Sequence, residues 1–139
     1  MLKHWQGRPV SEWAEMWGIP FLEVYRRISS TSDRLIDLVE AEPASFSMVI
    51  ADEQTAGRGR TGRKWYSPDG VGLLMSVLLP ASSASQPCAP LIVGVAVARA
   101  IEVLAGGRSA QIKWPNDVFL GRGKVCLLYT SDAADEGLG

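Results

Sequence analysis

Four cations lie within one short, glycine-rich segment of the chain: Arg58, Arg60, Arg63 and Lys64. Guanidinium groups bind phosphate or carboxylate through paired hydrogen bonds, and intervening glycines permit backbone conformations that other residues avoid. Like charges repel and glycines lose entropy on ordering, so such a loop is mobile until an anion neutralises it. The segment predicts an anion-binding loop. A solvated basic loop and an RGG-like nucleic-acid patch are the alternatives that it leaves open.

The same segment literally satisfies G-x-G-x-x-G through Gly57, Gly59 and Gly62. A dinucleotide site requires a strand before this pattern and a helix that opens from it. Pro68 and Gly70 follow too closely for a regular helix, and arginines occupy positions where small residues let the backbone approach a pyrophosphate. We therefore reject a dinucleotide-binding fold.

A second motif, Lys-Trp-Pro-Asn-Asp, occupies residues 113–117. Lys113 would end a strand, the proline would break the ladder, and Asn116 and Asp117 would follow at once. Lysine serves as a point charge on phosphate, and Mg²⁺ prefers carboxylate and phosphate oxygens. The motif predicts a phosphate and Mg²⁺ site. An ordinary Pro-Asn-Asp turn is the alternative, because these residues favour turns for local reasons.

Composition excludes several other classes of function. The 139 residues suit one domain or part of one, and 47% hydrophobic with 21% charged residues is typical of globular chains. A formal net charge of −1 gives no general reason to expect a nucleic-acid or membrane partner. His4 is the only histidine, and Cys88 and Cys126 lie far apart, which argues against histidine triads, zinc sites and disulfide frameworks. No signal peptide or membrane span is evident, so we expect a cytoplasmic protein.

Apolar patterning predicts elements that alternate irregularly, as in a mixed α/β or α+β domain with one sheet and packed helices. Helices are expected at 11–17, with Ser11 as its cap, at 33–41, with Ser32 as its cap and an apolar stripe at 35, 36, 38 and 39, and at 91–104. Strands are expected at 21–25, 46–51 and 71–79, and residues 111–114 and 118–120 are expected to form either a strand pair or one strand with a break.

Together, GRGRTGRKW and KWPND resemble segments of biotin–protein ligases, and the similarity runs over about residues 24–125. The resemblance implies an α+β fold in which helices flank a mixed β-sheet, of the class II aminoacyl-tRNA synthetase and biotin ligase type, incomplete here. It implies an ATP-dependent enzyme, biotin–[acetyl-CoA-carboxylase] ligase, which activates biotin as biotinyl-5′-AMP and transfers it to a carrier-protein lysine. The cofactors implied are biotin, ATP and Mg²⁺.

The resemblance also implies site residues. The biotin-binding positions would be Ser30, Thr31, Ser32, Gln54, Gly57, Arg58, Gly59, Arg60 and Lys124. The nucleotide-binding positions would be Arg58, Arg60, Arg63, Trp65, Lys113 and Asn116, with Asp117 toward Mg²⁺. The catalytic positions would be Arg60, Lys113 and Lys124. The chain departs from the family at Ser32, where an asparagine is usual.

The expected partner is a biotin carboxyl carrier protein, and the full-length parent could be a homodimer. Some family members carry an amino-terminal helix-turn-helix domain and act as repressors. The residues before the similarity begins are too few for such a domain. We therefore expect neither a DNA nor a membrane partner.

The family pattern stops after Val125. The family continues with a small-residue strand, whereas residues 126–136 here read CLLYTSDAADE, which resembles a translated transposon-end sequencing adapter. The domain boundary is therefore expected between residues 1–125 and 126–139. A natural strand with an acidic tail is the alternative, and VCLLYT could fill a vacant strand position. Strands covering residues 118–120 would be missing, so we expect poor solubility and little or no ligase activity.

Three rival functions remain. Lipoate–protein ligases and octanoyltransferases share the fold but lack the GRGRTGR loop. A nucleic-acid-binding module would use the basic loop, with binding that weakens steeply with salt. An inactive fragment is the third alternative.

Overall fold

The computed structural model describes residues 1–41, 46–58, 64, 66–79, 88–114 and 117–128. The chain divides into two compact units, Met1–Ser82 and Ser83–Gly139. Each unit combines helices with strands, so the predicted α+β class is confirmed.

The amino-terminal unit is built on a three-stranded mixed sheet, in the order β3 (Phe21–Ile28), β4 (Ser47–Gln54) and β5 (Leu74–Val77). Strands β3 and β4 are parallel, whereas β5 is antiparallel to β4. A parallel pair requires a crossover, which here contains helix α2 (Thr31–Ala41). The predicted mixed sheet is confirmed in this unit.

Strands β3 and β4 extend further than their apolar residues predict, because their polar ends pair with each other. The parallel register continues through Arg27 beside Glu53 and Ile28 beside Gln54, and the Arg27–Glu53 ion pair measures 3.3 Å. Strand β5 is shorter than the predicted 71–79. Val71 and Leu73 are exposed and precede it.

Helix α2 begins two residues earlier than predicted. Its first residue is Thr31, and the Ser30 hydroxyl accepts a hydrogen bond from the Asp33 N–H at 3.3 Å. A capping hydroxyl characteristically reaches the third helical N–H. The cap is therefore Ser30, and the prediction of Ser32 as the cap was wrong.

The apolar stripe of α2 is also narrower than predicted. Leu35 is buried and Leu38 half-buried, as residues three apart on one helical face should be. Ile36 is exposed, because the next residue along a helix turns away from that face.

A two-stranded hairpin and a helix precede the sheet: β1 (His4–Trp5), β2 (Arg8–Pro9) and α1 (Val10–Trp17). Pro9 occupies the position before α1 and no side chain caps it, so the prediction of Ser11 as the cap was wrong. Gly18 ends the helix in the left-handed conformation, with φ of 63°, which glycine adopts without strain.

The hydrophobic core of this unit lies between the sheet and α1. Val10, Val24 and Ile50 are buried there, and each fully buried aliphatic side chain contributes about 1.5–3 kcal/mol. The hairpin and α1 also bring three indoles together, and their centroids lie 5.1–6.3 Å apart. They are Trp5, Trp13 and Trp17.

The carboxy-terminal unit contains α3 (Ala89–Leu104), followed by β6 (Ala110–Lys113), β7 (Asp117–Leu120) and β8 (Gly123–Leu127). The three strands form their own antiparallel sheet in sequence order, rather than joining one sheet with β3–β5. A tight turn at Gly121, with φ of 61°, returns the chain directly onto β7. Across the described residues, no helix is long and apolar enough to cross a membrane.

Strand β7 is paired on both sides, contrary to the expectation that residues 118–120 would be left uncovered. Val118 is fully buried and pairs with Ile112 of β6 and Cys126 of β8. Strand β8 continues past the expected boundary at Val125, because Cys126 and Leu127 fill the position beside β7.

Candidate functional site

Thr31 and Gln54 meet where the parallel strands end. Gln54 is the last residue of β4, and Thr31 opens α2 after β3. The Gln54 Oε1 accepts hydrogen bonds from the Thr31 backbone N–H at 2.7 Å and from the Thr31 hydroxyl at 3.0 Å. Thr31 is only 3% exposed. The two hydrogen bonds therefore fix both side chains at the carboxyl end of β4.

Two serines complete this arrangement. The Ser76 hydroxyl of β5 lies 2.8 Å from the Thr31 hydroxyl and 3.0 Å from the Ser32 hydroxyl. We call Thr31, Ser32, Gln54 and Ser76 the hydroxyl–amide cluster. Ser76 was not predicted as a site residue. Its signal was a single hydroxyl inside the apolar run VGLLMSVLL, where a buried polar group requires a partner.

The residues that lead into the basic loop form hydrogen bonds with the connection between β3 and α2. The Thr55 and Ala56 N–H groups donate to the carbonyls of Ile28 and Ser29, at 2.9 and 2.8 Å. These bonds bring the chain after β4 alongside the β3–α2 connection. The next residue, Gly57, is consequently buried.

Beyond Gly57, the loop is described only at its two ends. Arg58 forms an isolated antiparallel bridge with Lys64, and its exposed guanidinium forms an ion pair with Asp33 on the first turn of α2. Asp33 was not predicted as a partner of the loop. The predicted site residues Gly59, Arg60, Arg63 and Trp65 lie outside the described residues.

Helix α2 is held against β3 by a polar triad. The Arg34 guanidinium donates to both oxygens of Glu23, at 2.7 and 2.8 Å, and the Tyr25 hydroxyl donates to the same carboxylate at 2.9 Å. The Arg34 hydrogen bonds lower the pKa of Glu23 despite its burial. Burial, with a smaller contribution from Glu23, raises the pKa of Tyr25. The triad anchors the helix whose first turn carries Thr31.

Three predicted residues come together in the carboxy-terminal unit. Lys113 and Asp117 pair across the β6–β7 hairpin, and the Lys124 ammonium lies 2.9 Å from Asp117 Oδ1. That oxygen is buried without a well-directed hydrogen bond, so its contact with Lys124 is mainly electrostatic. Asn116, between them in sequence, lies outside the described residues.

The same geometry bears on Mg²⁺. No group of three or more His, Cys, Asp or Glu side chains converges within the described part of the chain. Asp117 offers one carboxylate, and an ammonium already lies against its buried oxygen, which would repel a second cation. The described residues therefore do not fit a resident Mg²⁺ held by Asp117.

A separate depression of about 420 Å³ lies in the amino-terminal unit, lined among others by Trp5, Arg26, Asp52 and Asp69. The Trp5 indole N–H donates to Asp52 at 3.1 Å, which closes one side of it. None of the predicted site residues that the structure describes lines this depression. The hydroxyl–amide cluster and the loop beginning at Gly57 therefore form the candidate site of this unit.

The chain is also similar to known proteins in sequence and in fold. The sequence profile of the biotin/lipoate A/B protein ligase family matches residues 24–126. The bifunctional ligase/repressor BirA of Bacillus spizizenii is 39% identical over 111 residues, which cover 78% of this chain and 34% of that protein.

Two solved structures are similar in both sequence and fold. The biotin protein ligase of Leishmania major in complex with biotinyl-5-AMP has a TM-score of 0.66 and 32% identity, covering 76% of this chain and 49% of that one. The biotin protein ligase of Aquifex aeolicus in complex with biotin and ATP has a TM-score of 0.64 and 36% identity, covering 76% and 44%. The chain thus spans a third to a half of the length of these relatives, and it belongs to the biotin/lipoate A/B protein ligase family.

Proposed function

We propose that this chain carries the biotin- and nucleotide-binding part of an ATP-dependent biotin–protein ligase. The hydroxyl–amide cluster is the main support for this proposal. Its hydroxyl oxygens and the Gln54 amide can match a cyclic urea, which presents a carbonyl oxygen between two N–H groups. The complexes of the Leishmania and Aquifex ligases with biotinyl-5-AMP and with biotin and ATP support the same assignment.

The proposed roles divide along the chain. The biotin ring system would contact the turn and cluster residues, and the loop would close over the ring and the adenylate. Ring contacts are assigned to Ser30, Thr31, Ser32 and Gln54, and loop contacts to Gly57, Arg58, Gly59 and Arg60. Nucleotide contacts are assigned to Arg58, Arg60, Arg63, Trp65, Lys113 and Asn116, and Lys124 is assigned to the biotin carboxylate and the activated phosphate.

The proposed reaction has two steps. A carboxylate oxygen of biotin bonds to the α-phosphorus of ATP, and the bond to the bridging oxygen breaks, so that pyrophosphate leaves. The acceptor lysine nitrogen then attacks the acyl carbon, AMP leaves, and the nitrogen loses a proton. The first step brings two anions together and the second releases an anion, so Arg60, Lys113 and Lys124 would act by positioning and by neutralising charge. Loop closure would shield the adenylate from water.

Mg²⁺ would enter this reaction with the nucleotide, since it binds substrate phosphates with few protein ligands. The acceptor would be a biotin carboxyl carrier protein, as in biotin–[acetyl-CoA-carboxylase] ligases. An ATP-consuming modification of a carrier protein supports a cytoplasmic location. A homodimer of the full-length parent remains part of this proposal.

Isothermal titration of the 139-residue chain tests the proposal. We expect biotin to bind, and lipoate at the same concentration to bind much more weakly. With biotin and ATP together, Arg60→Ala should release any adenylate faster than the unaltered chain, because the loop closes less tightly. Binding of RNA that weakens steeply with salt, together with indifference to biotin, would contradict the proposal and favour a nucleic-acid module.

We also propose that the family-like part of the chain is residues 1–125, and that residues 126–139 derive from a sequencing adapter. The support is the change of pattern after Val125. Sequencing an independently prepared library of the same DNA tests the boundary. The codons for CLLYTSDAADE should be absent from it, whereas their recovery would show that the segment is natural.

A further inference from the structure

The hydroxyl–amide cluster has a defined hydrogen-bond direction at one end. The Thr31 backbone N–H can only donate, and it lies 2.7 Å from a terminal atom of Gln54. That atom must therefore be the amide oxygen, which settles the orientation of the amide. An amide oxygen can only accept, so the Thr31 hydroxyl, 3.0 Å away, must donate to it.

This direction passes through Ser76 to Ser32. A hydroxyl has one proton, and Thr31 uses its proton on Gln54. The 2.8 Å contact between Thr31 and Ser76 must then be a donation from Ser76. The Ser76 proton is now used as well, so the 3.0 Å contact with Ser32 must be a donation from Ser32. The chain of donors therefore runs from Ser32 to Ser76, to Thr31 and to Gln54.

We propose that Ser76 is a positioning residue that fixes the donor and acceptor polarity of the ring-binding site. This inference rests on the proposed function. With the direction fixed, the Thr31 and Ser32 oxygens retain lone pairs that can accept, and the Gln54 NH₂ retains its donors. The site then favours a ring that offers N–H groups beside a carbonyl, as a cyclic urea does, over the dithiolane ring of lipoate, which offers neither.

The fold holds Ser76 rigidly enough for this role. Ser76 lies in the middle of β5 and pairs with Val49 of the central strand β4, and Val49 is fully buried. Directly opposed residues of an antiparallel pair share one face of the sheet. The Ser76 side chain therefore lies on the same face of the sheet as the Val49 side chain. Strand pairing holds it there independently of any ligand.

The test measures discrimination between two ligands by isothermal titration. The ligands are biotin and a biotin methylated on one ring nitrogen, and the readout is the ratio of their Kd values. In the unaltered chain the methylated ring should bind more weakly. Ser76→Ala should weaken biotin binding by about fivefold, the effect of one typical hydrogen bond, and should lower the ratio several-fold because the acceptors are no longer oriented.

Two further variants separate positioning from folding. Ser76→Cys keeps the side-chain shape but has a weak donor, so it should lower the ratio as Ser76→Ala does, even if the alanine variant does not fold. Ser47→Ala is the matched control, because Ser47 is a buried serine of the neighbouring strand. It should lower stability, as seen by circular dichroism on urea titration, and leave the ratio unchanged.

The outcomes are distinguishable. If the unaltered chain binds biotin and Ser76→Cys keeps the full ratio, the role of Ser76 is refuted while the proposed function stands. If Ser47→Ala lowers the ratio as much as Ser76→Cys, the effect is general weakening of the sheet, and the inference is likewise refuted. If the unaltered chain does not bind biotin, the proposed function fails, and the inference fails with it.

Discussion

Replacement of Arg34 by methionine should destabilise the amino-terminal unit by about 2 kcal/mol. Exposed ion pairs contribute about 0–1 kcal/mol, whereas breaking a buried pair costs about 3–5 kcal/mol. The Glu23 side chain is 17% exposed and that of Arg34 is 37% exposed, so this pair lies between those limits. Methionine keeps the apolar stem and suits a helix. For a unit of this size the change lowers Tm by about 8–16 °C.

The effect should depend on pH in a defined direction. The pKa of Glu23 is lowered in the folded chain, chiefly by the Arg34 hydrogen bonds. A lowered pKa stabilises the fold above the unfolded value of about 4.3, and this contribution is lost as pH falls through the folded value. The difference in the free energy of unfolding between Arg34→Met and the unaltered chain should therefore be largest at neutral pH and shrink below about pH 4.

Urea titration followed by tryptophan fluorescence measures both effects. Arg27→Met is the matched control, because the Arg27–Glu53 pair is a single 3.3 Å contact of a side chain that is 65% exposed, and it should change stability by less than about 1 kcal/mol. A double-mutant cycle with Glu23→Gln isolates the pair. If Arg34→Met costs no more than Arg27→Met at pH 7, or if its effect persists unchanged in acid, the reasoning is refuted.

Two further perturbations test local features. Gly18→Ala should lower the free energy of unfolding in urea by about 1 kcal/mol, because Gly18 has φ of 63°, which alanine adopts only with strain. An added methyl group would meet no neighbour within 4 Å, so the cost comes from the backbone alone. An unchanged urea midpoint would contradict the left-handed helix ending. Burial chiefly raises the pKa of the Cys126 thiol, and the Asp117 charge raises it further. Asp117→Asn should therefore lower that pKa and speed alkylation at pH 8, relative to the exposed Cys88 in the same chain, whereas a slower reaction would contradict the assigned cause.

The predictable part of the fold is the part that local sequence determines. Gly18 ends α1 as predicted, and the strand pair around residues 113–117 follows from the proline and its flanking apolar residues. The extent of β3 and β4 could not be predicted, because Arg27 and Ile28 of β3 join the sheet only by pairing with Glu53 and Gln54 of β4.

The site divides in the same way. Ser30, Thr31, Ser32 and Gln54 were predicted as site residues through the resemblance, and the structure brings Thr31 and Gln54 together. Ser76 and the Glu23–Arg34 pair were missed, because both depend on which strands and helices become neighbours. Asp117 was assigned to a metal from its motif, and only the return of β8 along β7 places Lys124 against it.

The two hydrogen bonds from Thr31 to Gln54 also constrain how the hydroxyl–amide cluster can evolve. Gln54 holds the first turn of α2 to the end of β4 through the oxygen at which the cluster's chain of hydrogen-bond donors ends. A substitution in the cluster that changed the proposed preference for a ring would also loosen that helix. Altered specificity should therefore require a compensating stabilising change elsewhere, so an engineered variant should carry its mutations in pairs.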